Sequence, residues 1–416
     1  MALQFILGPS GAGKSEYIYE DIIRRTMQDE RENVIVLVPE QYSLEIQRKL
    51  VQKHPRGGSF QIDVIGFNRL AYRIFDELHI KPKKVLEDFG KSMLLRKAAQ
   101  EHKEELSLYA GSLDKAGFID EAKSLMSEIY QYDIPRERLR EALQKLDDSE
   151  EARVLARKLQ DMLVIFDAFE EKKGQSFIVA EQMLELLTAA AEQSELIAGS
   201  EIVLDGFTGF TPIQLNLISV LLRRAKKVTI VLTIDAATYE KKHVAEHELF
   251  ALTKQTIEHL LLTAEQAHVV VEPALFLGKD GCKRWSKGHP LAHLEQNLFR
   301  YPYRVGKDEE QAITITAYDT PAQELTGVAE QIRTLVMEQG YRYRDIAIVS
   351  GNLEETAEFA KRILPQYEIP YFIDMTMPVK NHPCVDALTH VLRIVDENFS
   401  YDSVFAFLKS GVVKSL

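Results

Sequence analysis

Cysteine is scarce in this sequence of 416 residues. There are two, Cys282 and Cys384, and they are not spaced as a CxxC pair. Two separated cysteines cannot build a disulfide framework, a zinc ribbon or a cysteine-ligated cluster within these residues. The same scarcity favours a reducing compartment.

Long apolar runs and an excess of basic charge are also missing. No stretch reaches the ~18 uninterrupted apolar residues of a membrane span, and the first residues lack the basic segment that opens a secretory leader. We therefore expect a cytoplasmic protein.

Lys and Arg total 51 against 63 Asp and Glu, which gives a formal net charge of −12. Because such a chain repels nucleic acid at long range, contact with DNA would need a local basic groove.

The first part of the sequence alternates between strand and helix patterns. Short apolar runs at Leu3–Leu7, Val34–Val38 and Gln61–Ile65 each precede a segment with helical spacing. Runs of this kind are typical of parallel strands that are buried on both faces. Residues 1–84 therefore predict the first part of an α/β domain.

The next segments indicate that this domain is interrupted and then resumes. Residues 85–198 have the charged helical pattern of an all-helical insertion. The strand–helix alternation returns in residues 199–305, with strands predicted at Glu201–Asp205 and Val228–Ile234.

Residues 306–416 predict a second α/β block. Its strands are expected at Ile313–Tyr318, Ile346–Val349 and Pro370–Ile373, with helices between them. At roughly 150 residues per domain, a chain of this length has room for such a second domain.

The strongest chemical signal is the segment GPSGAGKS, which fits the P-loop pattern G-x-x-x-x-G-K-[ST] in full. It follows the first predicted strand and opens the first predicted helix. In this pattern backbone N–H groups surround phosphate oxygens, the lysine reaches the β and γ phosphates, and the serine hydroxyl binds Mg²⁺. The sequence therefore predicts binding of ATP and Mg²⁺ by Gly8, Ser10, Gly11, Ala12, Gly13, Lys14 and Ser15.

A P-loop also needs a carboxylate from a neighbouring strand to hold the metal. Asp205 ends the apolar run Ile202–Leu204, so we expect Ser15 and Asp205 to hold Mg²⁺ together. Hydrolytic P-loop motors commonly place a water-polarising glutamate after this aspartate, whereas this chain has Gly206. We therefore assign no catalytic residue and expect little or no ATP turnover unless a base comes from elsewhere. A turn residue at a strand end is the alternative interpretation of Asp205.

Five segments together resemble the AddB family, the second subunits of bacterial AddAB helicase–nucleases. The resemblance runs along the whole chain in motif order and rests on GPSGAGKS, VIVLVPEQYSLEIQ, VIGFNRLAYRI, IVLDGFTGFTPIQ and AQELTGVAEQIRTLVMEQGYRYRDIAIVSGN. The family is similar to UvrD-type superfamily 1 helicases. The resemblance therefore implies a RecA-like P-loop domain with a helical insertion, followed by part of a second RecA-like domain.

The resemblance also implies a role and a partner. AddB proteins pair with an AddA-type helicase–nuclease, process DNA double-strand breaks for recombinational repair and help to recognise the Chi sequence. The family's nuclease and iron–sulfur cluster lie at the far C-terminus, so we expect this chain, which stops at Leu416, to be an N-terminal part without them. Its helicase core is implied to be degenerate, because Ser350–Asn352 stand where an arginine would contact the γ-phosphate. We expect ATP binding without motor activity.

For single-stranded DNA, the resemblance points to strand ends where related helicases contact the nucleic acid. The main candidates are Phe67, Asn68 and Arg69, and Gln41 and Gln214 are weaker ones. An aromatic ring that stacks on a base, next to a guanidinium, suits a sequence-tolerant channel. Core packing of Phe67 and a solvated Arg69 at a helix start are the alternative.

Three other interpretations stay open. The segment His243–His247 (HVAEH) matches H-x-x-E-H, which on a helix would bind Zn²⁺ beside a glutamate base, although its surroundings favour an amphipathic surface helix. GPSGAGKS also opens small-molecule kinases, in which Arg136, Arg138 and Arg140 would have to act as lid arginines. A non-catalytic, architectural DNA-repair protein with a vestigial P-loop is the third.

Overall fold

The protein divides into two compact units, Met1–Ile313 and Thr314–Leu416. The computed structural model describes residues 1–29, 31–81, 83–113, 115–147, 149–174, 177–278, 282–286, 288–307, 312–375, 379 and 382–412.

Strands occur only in the first unit among the described residues. They are β1 (Ala2–Gly8), β2 (Asn33–Leu37), β3 (Ile62–Ile65), β4 (Lys84–Leu86), β5 (Phe177–Val179), β6 (Ser200–Leu204), β7 (Lys227–Thr233), β8 (Val270–Val271) and β9 (Leu275–Phe276).

Helices occur in both units. In chain order they are α1 (Lys14–Gln28), α2 (Ser43–Lys53), α3 (Phe67–Glu77), α4 (Asp88–Glu101), α5 (Ala116–Gln131), α6 (Arg136–Gln144), α7 (Glu150–Lys173), α8 (Gln182–Ala191), α9 (Glu195–Ala198), α10 (Pro212–Arg224), α11 (Ala236–Glu240), α12 (Ala251–Gln266), α13 (Pro290–Asn297), α14 (Pro321–Met337), α15 (Leu353–Ile363), α16 (Pro383–Asp396) and α17 (Tyr401–Lys409). Among these described helices, none combines the length and the apolar character that crossing a bilayer requires.

The main sheet is parallel and has the order β3-β2-β6-β7-β1-β8, with β9 also paired to β1. The five strands predicted in residues 1–84 and 199–305 are therefore confirmed, as β1, β2, β3, β6 and β7. One strand, β7, lies between β1, which leads into the P-loop, and β6, which ends before Asp205. This mixed α/β arrangement around a parallel sheet is consistent with a RecA-like fold.

Helices cover the sheet on both faces because its strands alternate their apolar side chains. Phe5 and Leu7 of β1 pack into a core with α3, α8, α10 and α12, whereas Ile6 packs on the opposite face with α1. Successive side chains of a strand point to opposite faces, so a run of apolar residues fills both cores. The carboxyl ends of β1, β2, β3 and β6 consequently meet at one edge of the sheet.

The segment predicted as an all-helical insertion has its own core and contains a short sheet. Helices α4, α5 and α7 surround that core, and β4 pairs with β5 in parallel at Val85 and Ile178. The prediction that this segment lacks strands is wrong. The two strands are three residues each, too short for a period-2 pattern to stand out in the sequence.

The second unit differs from its prediction. Helices α14 and α15 pack around a small core that includes Leu325 and Ala360. The strands predicted at Ile313–Tyr318, Ile346–Val349 and Pro370–Ile373 are wrong, since the described residues of these segments form no strand. A strand needs a neighbouring strand for its ladder of hydrogen bonds, and an apolar run alone does not supply one.

Candidate nucleotide site and nucleic-acid face

The P-loop connects the carboxyl end of β1 to the first turn of α1. Gly11 and Gly13 have φ values of 74° and 84°, which favour glycine, and α1 begins directly after them at Lys14. The loop therefore ends at the start of a helix, where the helix dipole adds positive potential. A phosphate group fits this arrangement.

Lys14 lies across the loop rather than out in solvent. Its Nζ donates hydrogen bonds to the carbonyl oxygens of Gly8 and Pro9, both at 2.9 Å. Burial lowers the pKa of Lys14 to about 8, against the opposing attraction of Asp205. Among the described residues, no carboxylate lies within hydrogen-bonding distance of the Lys14 ammonium group. A phosphate group in the cavity would supply a negative charge beside it.

Asp205 lies at the same edge of the sheet, directly after β6. It is 5% exposed, its Oδ2 accepts a hydrogen bond from the Tyr19 hydroxyl at 2.6 Å, and its Oδ1 accepts one from the N–H of Gly206 at 2.9 Å. Asp205 and Ser15 line one cavity of about 670 Å³ together with Lys14. Of the other residues predicted for nucleotide and metal, Ser10, Gly11 and Gly13 line the same cavity, whereas Gly8 and Ala12 do not.

A distant segment that sequence reasoning missed also contacts the P-loop. The backbone N–H groups of Lys283 and Arg284 both donate to the carbonyl oxygen of Gly11 at 3.2 Å, and both side chains line the cavity of Lys14. The Sγ of Cys282 lies 3.4 Å from the carbonyl oxygen of Ser10. A Cβ on Gly11 would overlap that sulfur, so this glycine is required for close approach as well as for its φ.

Glu295 of α13 reaches the P-loop as well. Its carboxyl group accepts a hydrogen bond from the N–H of Ser10, and burial raises the pKa of Glu295. The only signal in the sequence near these contacts is the basic pair Lys283–Arg284. Contacts made through backbone groups leave no pattern of side-chain types.

The DNA candidates lie at the carboxyl ends of β2 and β3. Asn68 and Arg69 are exposed in the first turn of α3, and Gln41 is exposed in a short 3₁₀ turn over Glu40–Tyr42. The Oε1 of Glu40 accepts a hydrogen bond from the N–H of Asn68 at 3.1 Å, which joins the two segments. We call residues 40–42 and 67–69 the candidate nucleic-acid face.

Phe67 is half-buried beside two aromatic side chains that the sequence did not single out. Its ring centroid is 5.5 Å from that of Phe207, which in turn is 5.3 Å from that of Phe210. This row of rings holds Phe67 in place at the rim of the core.

Gln214 contributes to the start of a helix. Its Oε1 accepts a hydrogen bond from the N–H of Thr211 at 3.0 Å, at the start of α10. This bond satisfies one backbone donor that the helix start would otherwise leave open.

The H-x-x-E-H match is not on a helix. Residues 241–250 form a loop between α11 and α12, in which Lys241 pairs with Glu248. The predicted surface helix is therefore wrong at these residues. Outside a helix, His243 and His247 do not share the helix face on which i, i+4 histidines bind zinc. No group of three or more metal-ligating side chains was found in the part of the chain that the structure describes.

The "ADDB, N-terminal" family matches residues 5–295. The chain belongs to the AddB N-terminal family. It is similar to proteins named as the B subunits of ATP-dependent helicase/deoxyribonucleases, with 38% identity to that of Lachnoclostridium phytofermentans, 33% to that of Alkaliphilus metalliredigens and 31% to that of Clostridium novyi. Each alignment covers 99% of this chain and 35–36% of the relative. The chain thus spans about a third of the length of these AddB relatives.

Proposed function

We propose that this chain is the nucleotide-binding and DNA-contacting part of an AddB-type protein that acts with an AddA-type protein on DNA double-strand breaks. The family and the names of its relatives support the role in a helicase/deoxyribonuclease. The partner is tested by co-expression with the AddA-type protein of the same bacterium. A stable complex that survives gel filtration is expected, and two separate peaks would contradict the proposed pairing.

The observation that supports the nucleotide-binding part of this proposal is the half-buried Lys14, which lines one cavity together with Ser15 and Asp205. We infer that the amides of the P-loop and Lys14 bind the phosphates of ATP, and that Ser15 and Asp205 hold Mg²⁺. The metal would neutralise charge on the β and γ phosphates. Calorimetric titration with ATP and MgCl₂ tests this, and no heat of binding would contradict it.

ATP hydrolysis by this chain is expected to be negligible. Gly206 follows Asp205, so the position next to the metal-holding aspartate has no side chain that can accept a proton from water. Phosphate release should stay at the level of the Lys14→Ala variant, with and without single-stranded DNA. DNA-stimulated release that disappears in Lys14→Ala would contradict this prediction.

Arg69 is expected to contact a phosphate of single-stranded DNA. Replacing it by alanine should weaken binding of a fluorescent oligothymidylate about three- to tenfold, and should reduce the slope of log K against log salt by about 0.7, the value for one released counterion. Fluorescence anisotropy at several salt concentrations measures both. The matched control is Arg73→Ala, one turn along α3, because Arg73 is already paired with Asp63. Equal losses in both variants would argue against a specific contact.

Glu40 is expected to oppose DNA binding on the candidate nucleic-acid face. Its carboxylate occupies the N–H of Asn68 and lies so close to Gly66 that a Cβ there would overlap it. Glu40→Gln removes this charge and should tighten oligothymidylate binding about two- to fivefold, because a carboxylate on this face repels the phosphates of DNA. Glu141→Gln on α6 is the control for net charge. Weaker binding by Glu40→Gln would contradict the assignment of this face.

The kinase alternative finds no support at its proposed lid. Arg136 and Arg140 of α6 both hydrogen-bond to Asp167 of α7, at 2.6 and 2.7 Å. These pairs hold both arginines against α7 of the insertion.

The architectural alternative is a protein with a vestigial P-loop. It predicts no ATP binding, so the calorimetric titration with ATP and MgCl₂ also tests this alternative.

A further inference from the structure

Tyr19 donates a hydrogen bond directly to the carboxylate that we assign to Mg²⁺. The hydroxyl of Tyr19 and the Oδ2 of Asp205 are 2.6 Å apart, and the remaining oxygen, Oδ1, accepts the N–H of Gly206. Both oxygens of Asp205 therefore already have a donor before any metal-bound water approaches. Neither donor is part of the P-loop pattern.

The chain positions Tyr19 beside the metal site through helix geometry. Ser15 and Tyr19 are four residues apart on α1, so their side chains lie on the same face of the helix, one turn from each other. The serine hydroxyl that would bind Mg²⁺ and the tyrosine hydroxyl that binds Asp205 thus come from one rigid element.

The hydroxyl of Tyr19 is held in place by its ring. Tyr19 is 1% exposed and belongs to the core that α1 forms with the sheet, where Ile6, Val36 and Val203 are also buried. The Nζ of Lys49 lies 5.9 Å from the ring centroid on the outer side. A buried tyrosine hydroxyl needs a hydrogen-bond partner, so separating the Tyr19 hydroxyl from Asp205 would cost free energy.

A donor on Oδ2 weakens that oxygen as an acceptor. An ionised carboxylate offers about four lone-pair positions, and the tyrosine hydroxyl takes one of them and withdraws negative charge from Oδ2. The water molecules that coordinate Mg²⁺ must be held by the remaining lone-pair positions of Asp205. We propose that Tyr19 is a positioning residue that limits how strongly Asp205 holds nucleotide-bound Mg²⁺. The proposal rests on the nucleotide site proposed above.

The test is a titration of MgCl₂ against the protein bound to a fluorescent N-methylanthraniloyl ATP analogue. The full chain is used as wild type and as Tyr19→Phe, and each is also combined with Asp205→Asn. Removal of the hydroxyl is expected to lower the MgCl₂ concentration at half-saturation about three- to tenfold, the fold-change of one hydrogen bond. In the Asp205→Asn background the same removal should have no effect, because the carboxylate is gone.

Tyr130→Phe is the matched control. The Tyr130 hydroxyl also donates to a carboxylate, that of Glu170, but it lies in the insertion. It should leave the MgCl₂ titration unchanged while losing a half-buried hydrogen bond between a tyrosine and a carboxylate.

Three results would overturn the proposal: superimposable titrations for wild type and Tyr19→Phe, a higher MgCl₂ requirement in Tyr19→Phe, or a shift that persists with Asp205→Asn. If the analogue does not bind the wild type at all, the proposed nucleotide site fails and this inference fails with it. If the analogue binds and the MgCl₂ response is insensitive to Tyr19, only this inference fails.

Discussion

Replacing Lys14 by alanine is expected to weaken binding of ATP and Mg²⁺ at least about a hundredfold. The Nζ of Lys14 lies across the P-loop, 2.9 Å from two backbone carbonyl oxygens, in a cavity that the loop shares with Asp205. Two charge-assisted hydrogen bonds to phosphate, at about 1.5 kcal/mol each, amount to about 3 kcal/mol, and 1.4 kcal/mol is a factor of ten. Isothermal titration calorimetry measures the loss.

Lys49→Ala is the matched control for this prediction. Lys49 lines the same cavity, but its Nζ lies 3.3 Å from the carboxylate of Glu16 and its side chain is 45% exposed. Its removal should change the affinity less than about threefold, since exposed ion pairs contribute little. Wild-type affinity in Lys14→Ala, or an equal loss in Lys49→Ala, would contradict the assignment.

Lys14→Ala should not lower the thermal stability of the nucleotide-free protein. Burial lowers the pKa of Lys14 to about 8, so the folded state disfavours the charged amine. The two hydrogen bonds from its Nζ to backbone carbonyl oxygens offset this penalty, so removal of the side chain should change the free energy of unfolding little. A lower melting temperature together with weaker binding would indicate a folding defect instead.

The P-loop and the strands around it were predictable because they depend on local sequence. Runs such as Val34–Val38 bury side chains on both faces, as strands of a covered parallel sheet do. The pattern from Gly8 to Ser15 contains its own turn chemistry. Asp205 was found because it ends an apolar run, at the point where a parallel sheet exposes its functional edge.

The contacts that could not be predicted depend on residues far apart in the chain. Lys283 and Arg284 touch Gly11 through their backbone N–H groups, which any residue except proline carries. The hydrogen bond from Tyr19 to Asp205 joins residues whose pairing only the packing of α1 against the sheet determines. The helical spacing of apolar residues in the sequence indicated which side of α1 is buried. It did not indicate which group accepts the hydrogen bond from the Tyr19 hydroxyl.

The incorrect predictions have the same origin. The apolar residues of the second unit form small runs, but pairing into a sheet is a tertiary event that those runs do not specify. His243–His247 had the composition of a helix surface, yet α11 ends at Glu240 and α12 starts at Ala251. A short pattern of residue types does not distinguish a helix from a loop with the same polarity.

Asp161 is expected to be among the most sensitive structural positions in the insertion. It is 1% exposed on α7, and its carboxylate accepts hydrogen bonds from the N–H groups of Ser107, Leu108 and Tyr109 and from the Ser107 hydroxyl, at 2.8–3.1 Å. Asp161→Asn replaces one accepting oxygen by an NH₂ group that faces these donors. The loss should be about 3 kcal/mol, because buried donors are left without an acceptor. Asp120→Asn, with a side chain that is 69% exposed, is the control and should have little effect.

The contribution of Asp161 should also disappear in acid. Burial opposes its ionisation, but the hydrogen bonds from Ser107, Tyr109 and Leu108 outweigh burial and hold the pKa of Asp161 below its usual value. The unfolded chain, with an Asp pKa of about 3.9, therefore binds the proton more tightly than the folded protein does. The stability that Asp161 adds is complete above about pH 4 and is lost as the pH falls through the lowered folded-state pKa. Urea unfolding followed by circular dichroism measures the difference in free energy of unfolding between wild type and Asp161→Asn. This difference should be constant from about pH 5 to 7 and should shrink below about pH 4. Hydrogen exchange at Ser107, Leu108 and Tyr109 should be faster in the variant. A difference that grows in acid would show that the carboxylate is not the stabilising form.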